Sequence, residues 1–375
     1  MCNHSMYFIH CSDLHLDSPV EAHLNPHQAQ LRRQELLGTF ARLADYAEEH
    51  HITAIMISGD LFDSDPVSSS AVQYVLHTVQ KHPSVDFLYL PGNHDFSAIH
   101  CLERAGYADN FYIIGNYPSI DNPHVILQKA YGSVVITGLS GSLEQLPSLS
   151  ADCTNLVMLH GQISCNPTVP SAENGEFHYC SRDFSGKHID YIAAGHIHQF
   201  RIIPIDRRCT FCYSGCLEGR GFDECGEKGF VLLTVTPEGA VAPQFIPFAL
   251  RTIRKLDADI TGCTDYAQIE TMVTDILADA NPSDLVRLCL SGTVPPDLNL
   301  HINWLTHTFY SNFYFLLIED HTKPAVSYKD YQFDISLKGE FIRLVLSSDH
   351  LTESEKAEII KEGLQALSGE EITIY

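Results

Sequence analysis

Five short apolar runs, each broken off by a small or polar residue, constrain this chain more than any other feature of it. Tyr7–Cys11 runs into Ser12-Asp13, Ile52–Ile57 into Ser58-Gly59-Asp60, and Phe87–Leu90 into Pro91-Gly92-Asn93. Leu156–Leu159 leads to His160-Gly161, and Ile189–Ala194 to Gly195-His196. Unbroken apolar runs bounded by turn residues are the pattern of strands buried on both faces. Helical periods lie between them. Gln30–Glu49 carries Leu31, Leu36, Leu37, Phe40, Leu43, Ala44 and Ala47 on one stripe, and Val67–Gln80 follows Ser64-Asp65-Pro66, a capping and first-turn signal. Strands alternating with helices predict an α/β fold whose sheet is covered on both faces. Past residue 200 strand follows strand, in Phe200–Ile205, Cys209–Tyr213, Phe230–Val235 and Val241–Ile246. These predict a second, more antiparallel sheet packed on the first.

Leu250–Leu256 reads as the way out of that core, which occupies residues 1–250 of the 375. A smaller α+β module follows over 251–335, with helix Tyr266–Ala278, strand Asp284–Ser291, helix Leu298–Ser311 and strand Phe313–Glu319. A tail over 336–375 holds helix Glu353–Leu367, opened by the Thr352-x-x-Glu355 capping box.

With 45% hydrophobic and 19% charged residues, the composition excludes a disordered chain. The longest apolar run, Phe313–Ile318, is far short of a membrane span, and the first residues lack a signal-peptide pattern. The 12 cysteines then read as reduced thiols, and the expectation is a soluble cytoplasmic protein with no membrane partner. A formal charge of −24 argues against non-specific binding of nucleic acid. Histidine is the oddity: 17 of the 21 fall before residue 200, which directs the search for a metal or acid–base site to the first half.

Five motifs stand where the strands end. They are Asp13-Leu-His15, Gly59-Asp60-Leu-Phe-Asp63, Gly92-Asn93-His94-Asp95, His160-Gly161 and Gly195-His196-Ile-His198. Ligands of open α/β sheets bind outside the carboxyl ends of the strands, so five such loops can share one site. Their donors are carboxylate, amide and imidazole without thiolate, a set that suits Mn²⁺, Fe²⁺, Zn²⁺ or Mg²⁺. Alternate residues of an extended segment point the same way, so Asp13 with His15, and His196 with His198, can each grip one ion. A carboxylate can bridge two ions, and Asp60, midway in the set, is the candidate bridge. Each motif alone is weak; five in this order, each after an apolar run, leave little room for coincidence.

On these motifs the chain resembles the calcineurin-like metallophosphoesterases over residues 6–250. Tyr213-Ser-Gly-Cys-Leu-Glu-Gly-Arg-Gly-Phe-Asp-Glu224 and Leu285-Val-Arg-Leu-Cys-Leu-Ser-Gly292 resemble, within them, the SbcD-type DNA repair exonucleases. The resemblance implies a four-layer αββα sandwich with a smaller capping domain, and a two-metal phosphodiesterase using Mn²⁺ or a similar ion. Asp13, His15 and His198 would hold one ion, Asn93, His160 and His196 the other, with Asp60 shared. His94 would face the scissile phosphate as the proton donor, with Asp95 orienting its ring. Asp63 is either a supporting partner or a helix-start residue. Hydrolysis would proceed by in-line attack of a hydroxide bridging the ions. The activity implied is a 3′–5′ double-strand DNA exonuclease with single-strand endonuclease as a further activity, and a phosphatase or small-molecule phosphodiesterase as the alternative. The implied partners are DNA, a coiled-coil ATPase of the SbcC type docking on the tail, and a second copy of the chain.

Other features weigh less. Cys209, Cys212, Cys216 and Cys225 have a zinc-knuckle look, but residues three apart on a strand face opposite sides, so packed thiols are expected. The segment Gln162–Lys187 lacks periodicity and is placed at the rim of the cleft. The stretch Arg182–Arg220 carries six basic residues against four acids, a local surplus beside Gly195-His196-Ile-His198 that softens the objection raised by the global charge.

Overall fold

Strands buried on both faces need a layer on each side, and the computed structural model supplies them by stacking two sheets. It describes residues 4–20, 24–63, 67–95, 98–116, 123–164, 172–173, 176–295, 298, 300–325 and 334–367. The chain divides into two units, Met1–Thr252 and Ile253–Tyr375.

The first unit begins β1 (Met6–Cys11), α1 (Pro26–Glu49), β2 (Ala54–Ser58), α2 (Ser69–Lys81), β3 (Asp86–Leu90), α3 (Ala98–Ala105), β4 (Phe111–Ile114) and β5 (Val125–Ile126). It continues through β6 (Gln128–Tyr131), β7 (Val134–Leu139), β8 (Thr154–His160), β9 (Gln162–Ser164), β10 (Ala172–Glu173), β11 (Glu176–Cys180) and β12 (Tyr191–Gly195). It closes with β13 (Arg201–Pro204), β14 (Thr210–Tyr213), β15 (Gly229–Val235) and β16 (Val241–Pro247). One sheet has the order β16-β15-β1-β2-β3-β4-β5, the other β13-β14-β12-β8-β7-β6.

Successive residues of one strand enter different cores, which is why the runs are unbroken. Ile9, Ile55, Ile57, Phe87 and Tyr89 pack with Phe40, Leu43, Val72 and Val75 of the covering helices. Their neighbours Phe8, Met56 and Leu88 pack against Leu156, Met158 and Tyr191 of the second sheet. Beyond that sheet, Val157, Leu159, Ile192 and Phe211 pack with Tyr179 and Phe184. The fourth layer is built from two 3-10 turns, Leu143–Gln145 and Ser181–Phe184, and the small sheet β10-β11-β9 in place of long helices.

The four strands after residue 200 do not form one sheet. β13 and β14 are a hairpin added to β12, whereas β15 returns antiparallel to β1 with Met6 opposite Val235. That pairing covers the side of β1 away from β2, whose buried backbone donors and acceptors would otherwise lack partners. α1 starts at Pro26, earlier than the apolar period suggests, because Asn25 and Gln28 form a capping box around it. α2 is capped by Ser68; the Ser64-Asp65-Pro66 signal lies outside the described residues.

The second unit contains β17 (Ile253–Asp259), α4 (Tyr266–Leu277), β18 (Leu285–Ser291), β19 (Thr293–Val294), α5 (Ile302–Tyr310), β20 (Phe315–Asp320), β21 (Lys323–Pro324), α6 (Leu337–Leu346) and α7 (Glu353–Leu367). Ile253–Asp259 is the first strand of a parallel β17-β18-β20 sheet, so most of Leu250–Leu256 opens the second core rather than only leading out of the first. Thr352 and Glu355 form the capping box of α7, with Glu355 N–H donating to Thr352 Oγ1 at 3.3 Å and Thr352 N–H to Glu355 Oε2 at 2.8 Å. Ile360 and Leu364 bury that helix against Ile342 and Val345 of α6. Among the described residues no helix is long and apolar enough to cross a membrane.

Polar ties cross the sandwich just beneath the loops that carry the five motifs. Ser58 Oγ donates to the Ala193 carbonyl at 2.9 Å. His10 donates from Nε2 to the Ala194 carbonyl at 3.2 Å, leaving Nδ1 to accept the Tyr191 hydroxyl at 2.9 Å. Burial holds this fully enclosed imidazole neutral, lowering its pKa from 6.5 to about 3. The unfolded chain therefore takes up a proton below pH 6.5 that the native chain refuses. Stability present above pH 6.5 is lost as the pH falls toward 3, at about 1.4 kcal/mol per unit. Urea denaturation of His10→Gln between pH 7 and 5 is expected to give a flatter stability curve than the wild type; curves of equal slope would remove His10 from the acid response.

Candidate metal centre

The motif loops leave the carboxyl ends of β1, β2, β3, β8 and β12, and their side chains converge on two buried carboxylates, Asp13 and Asp60. His198 Nε2 lies 3.7 Å from Asp13 Oδ1, and His15 Nε2 and His160 Nε2 lie 3.8 and 3.4 Å from Asp60 Oδ2. Asn93 Oδ1 is 2.9 Å from His160 Nε2. The His196 ring meets the His160 ring edge-on at 5.4 Å, and its backbone N–H donates to Asp13 Oδ1 at 3.0 Å. All seven candidate ligands thus share one site. Two sets place their ligand atoms within 4.8 Å of one another: Asp13, His15 and His198, and Asp13, Asp60 and His160.

The backbone reason differs from strand alternation. Asp13, His15, Asp60 and His196 have φ of 54°, 44°, 51° and 99°, a left-handed region costly for residues with a Cβ. The segment after β1 is therefore curled, held by Asp13 N–H donating to the Gly59 carbonyl and His15 N–H to the Asp60 carbonyl, each at 3.0 Å. Asp13 and His15 face one place through that curl. Gly59 (φ 92°) makes room: a Cβ there would stand 1.9 Å from His160 Nδ1.

Each inward imidazole is held from behind. His160 donates from Nδ1 to the Ser58 carbonyl at 2.9 Å, His198 Nδ1 lies 2.6 Å from Glu224 Oε1, and His15 Nδ1 lies 2.8 Å from Asp63 Oδ1. This arrangement turns the Nε2 atoms toward the carboxylates, the ligand tautomer for a cation. Both ring nitrogens of His15 are buried without an aligned hydrogen bond among the described residues, Nδ1 meeting Asp63 as a close ionic contact only, an arrangement that costs free energy unless something occupies the space beside Nε2. Burial opposes protonation of His160, yet Asp60 and Asp13 outweigh it and raise its pKa to about 9. The pocket therefore attracts positive charge. Buried carboxylates, an orphaned imidazole nitrogen and a thiolate-free donor set together fit divalent ions.

Asp95 does not orient the His94 ring. It is fully buried and accepts from Gly92 N–H at 2.9 Å, Leu61 N–H at 3.2 Å and Phe62 N–H at 3.0 Å, which staples the β2 and β3 loops together. Burial, then the nearby Asp60 charge, raises its pKa. The group beside the ring is Asp63, whose Oδ1 lies 3.7 Å from His94 Nδ1. His94 is 45% exposed and so is open to a substrate. Asp63 thus stands beside both the His15 and His94 rings, and Asp17 Oδ1 accepts its backbone N–H at 2.8 Å.

The places of Asp17 behind Asp63 and of Glu224 behind His198 have no signal in the sequence, since no local spacing connects either pair. The four cysteines do not gather: Cys209 faces the outer core and Cys212 the core between the sheets. Gln162, at the start of the segment expected to border the cleft, has Nε2 3.2 Å from His196 Nε2. Of the six basic residues counted there, Arg208 is paired with Asp190 at 2.8 Å and Arg220 with Asp63 and Glu224, so the local surplus available to a substrate is smaller than the count.

A model of the calcineurin-like phosphoesterase family matches residues 6–200. An uncharacterised metallophosphoesterase of Bacillus subtilis, YhaO, is 25% identical over 77% of this chain and 72% of its own. The DNA double-strand break repair protein Mre11 of Sulfolobus acidocaldarius is 26% identical over 77% of this chain and 76% of its own. Mre11 of Methanosarcina acetivorans is 23% identical over 76% of this chain but only 45% of its own length.

Gly59→Ala tests the packing of the centre. The added methyl has to displace His160 or the loop, at a cost on the order of 3 kcal/mol. Denaturant unfolding of the metal-free protein should register that loss; an unchanged midpoint would mean that the cradle yields freely.

Proposed function

The chain belongs to the calcineurin-like phosphoesterase family, and on that premise we propose that this metal-dependent phosphoester hydrolase is a two-ion phosphodiesterase acting on DNA. The observation that carries the reading is Asp60, whose Oδ2 lies 3.8 Å from His15 Nε2 and 3.4 Å from His160 Nε2, within reach of a ligand from each half of the set. In this assignment Asp13, His15 and His198 would hold one ion, Asn93, His160 and His196 the other, with Asp60 available to both. Mn²⁺ is the proposed metal. When bound, the ions supply a nucleophile at neutral pH and neutralise phosphate oxygens.

The remaining work falls to His94. With Nδ1 on the Asp63 side, its other ring nitrogen is free to hold a proton at the departing oxygen, a role typically worth about 10²–10⁴-fold in rate. His94→Ala is expected to retain both ions and to lose turnover by about that factor; calorimetric Mn²⁺ titration beside a rate measurement checks both halves of the statement.

Support for DNA comes from the relatives. The matches to YhaO and to both Mre11 proteins span more residues than the first unit holds, so the likeness reaches the second unit, to which this reading gives the guiding of the strand. A charge of −24 limits how tightly the chain grips DNA alone, and activity should fall steeply with salt. An ATPase partner docking on α7, and a second copy of the chain, would each add the missing grip. Incubation with Mn²⁺, end-labelled duplex DNA, single-stranded DNA and a phosphomonoester, beside Asp60→Ala, tests the reading. Progressive shortening of DNA that Asp60→Ala abolishes is the expected result. Rapid monoester turnover with intact DNA would establish the phosphatase alternative instead.

A further inference from the structure

The two halves of the centre are supported by different kinds of group. His160 rests on a backbone carbonyl, that of Ser58. His15 and His198 rest on the side chains of Asp63 and Glu224, which reach the site from separate loops. A single guanidinium joins those two carboxylates. Arg220 donates from Nη1 to Asp63 Oδ1 at 3.2 Å and from Nη2 to Glu224 Oε1 at 2.8 Å. Its backbone N–H also donates to Glu224 Oε2 at 2.7 Å, so both oxygens of Glu224 are engaged.

The loop carrying Arg220 is itself anchored. Glu218, buried two residues earlier, accepts from Arg32 Nη2 at 2.6 Å, Thr39 Oγ1 at 2.7 Å and Leu250 N–H at 2.6 Å. Arg32, fully buried on α1, donates as well to the Gly219 carbonyl at 2.9 Å. Arg220 is therefore presented from a rigid base, with 20% of its side chain exposed.

We propose that Arg220 is a positioning residue for one half of the metal centre, bracing Asp63 against Glu224 so that His15 and His198 are held as a pair. The Asn93–His160 half does not lean on it. A planar fork can hold two carboxylates at once, which a lysine ammonium on its flexible stem does poorly. Without the guanidinium, Asp63 and Glu224 are free to part, and the two imidazoles lose their common aim. Losing such a support typically costs about 10–100-fold in metal affinity. The inference rests on the two-ion assignment proposed above.

Metal-stripped wild type, Arg220→Gln, Arg220→Lys, Asn93→Ala and the Asn93→Ala/Arg220→Gln double variant can be titrated with Mn²⁺ by calorimetry, with bound ion counted by electron paramagnetic resonance. Two ions are expected in the wild type. In Arg220→Gln one ion keeps its affinity and the other weakens about 10–100-fold, with Arg220→Lys weakened in the same sense. Asn93→Ala weakens the opposite ion, and the double variant binds neither tightly. If Arg220→Gln does not fold, by thermal melting without metal, Asp63→Asn and Glu224→Gln must each weaken the same single ion. Equal weakening of both ions, or unchanged binding, overturns the role of Arg220 while leaving the two-ion reading intact. A wild type that binds one ion overturns that reading and the inference with it.

Discussion

Two carboxylates buried at the strand ends, Asp13 and Asp60, set the terms for the rest of the first unit. They are 1% and 2% exposed, and a carboxylate that far from water needs positive charge or several hydrogen bonds around it. The surrounding groups supply both. Three imidazoles aim at the pair, Ser12 and the His196 backbone donate to Asp13, and the His94 backbone donates to Asp60. The left-handed backbone at four of the site residues is a cost of bringing the donors that close.

The sandwich is built to carry that cost. Three apolar cores alternate with two sheets, and the ties from His10 and Ser58 to the second sheet lie directly under the loops that bear the candidate ligands. Because Ser58 both ties the sheets through its hydroxyl and receives His160 through its carbonyl, the spacing of the sheets and the aim of one candidate ligand are coupled. The imidazoles of the other half, His15 and His198, meet side chains instead, and behind His198 a network runs from Arg32 in α1 through Glu218, Arg220 and Glu224.

Much of the architecture was legible in the chain because burial on both faces leaves a local mark. The positions of β1, β2, β3, β8 and β12, the α7 capping box, and the set of polar residues just beyond each strand could all be read from neighbouring letters. The boundary of the second unit was legible to within two residues. The pairing of β15 with β1, the pairing of β17 with β18, and the group beside the His94 ring depend on contacts between distant segments, which leave no local mark. Asp95 stands next to His94 in sequence yet serves the β2 loop, while Asp63, from that loop, stands beside the ring.

Neighbouring residues suffice to place the strands, their apolar environment, and the chemical type of the donors offered at their ends. Those follow from hydrophobic period and turn residues, which act over a few positions. Which atoms face each other is settled by the folded arrangement. It curls Asp13 and His15 into register instead of extending them, leaves both ring nitrogens of His15 without a hydrogen bond among the described residues, and sets Glu224 and Arg220 behind His198. Hydrogen bonds and ion pairs are satisfied at a distance of about 3 Å in space whatever the separation along the chain, so their pattern cannot be read until the sheets have stacked.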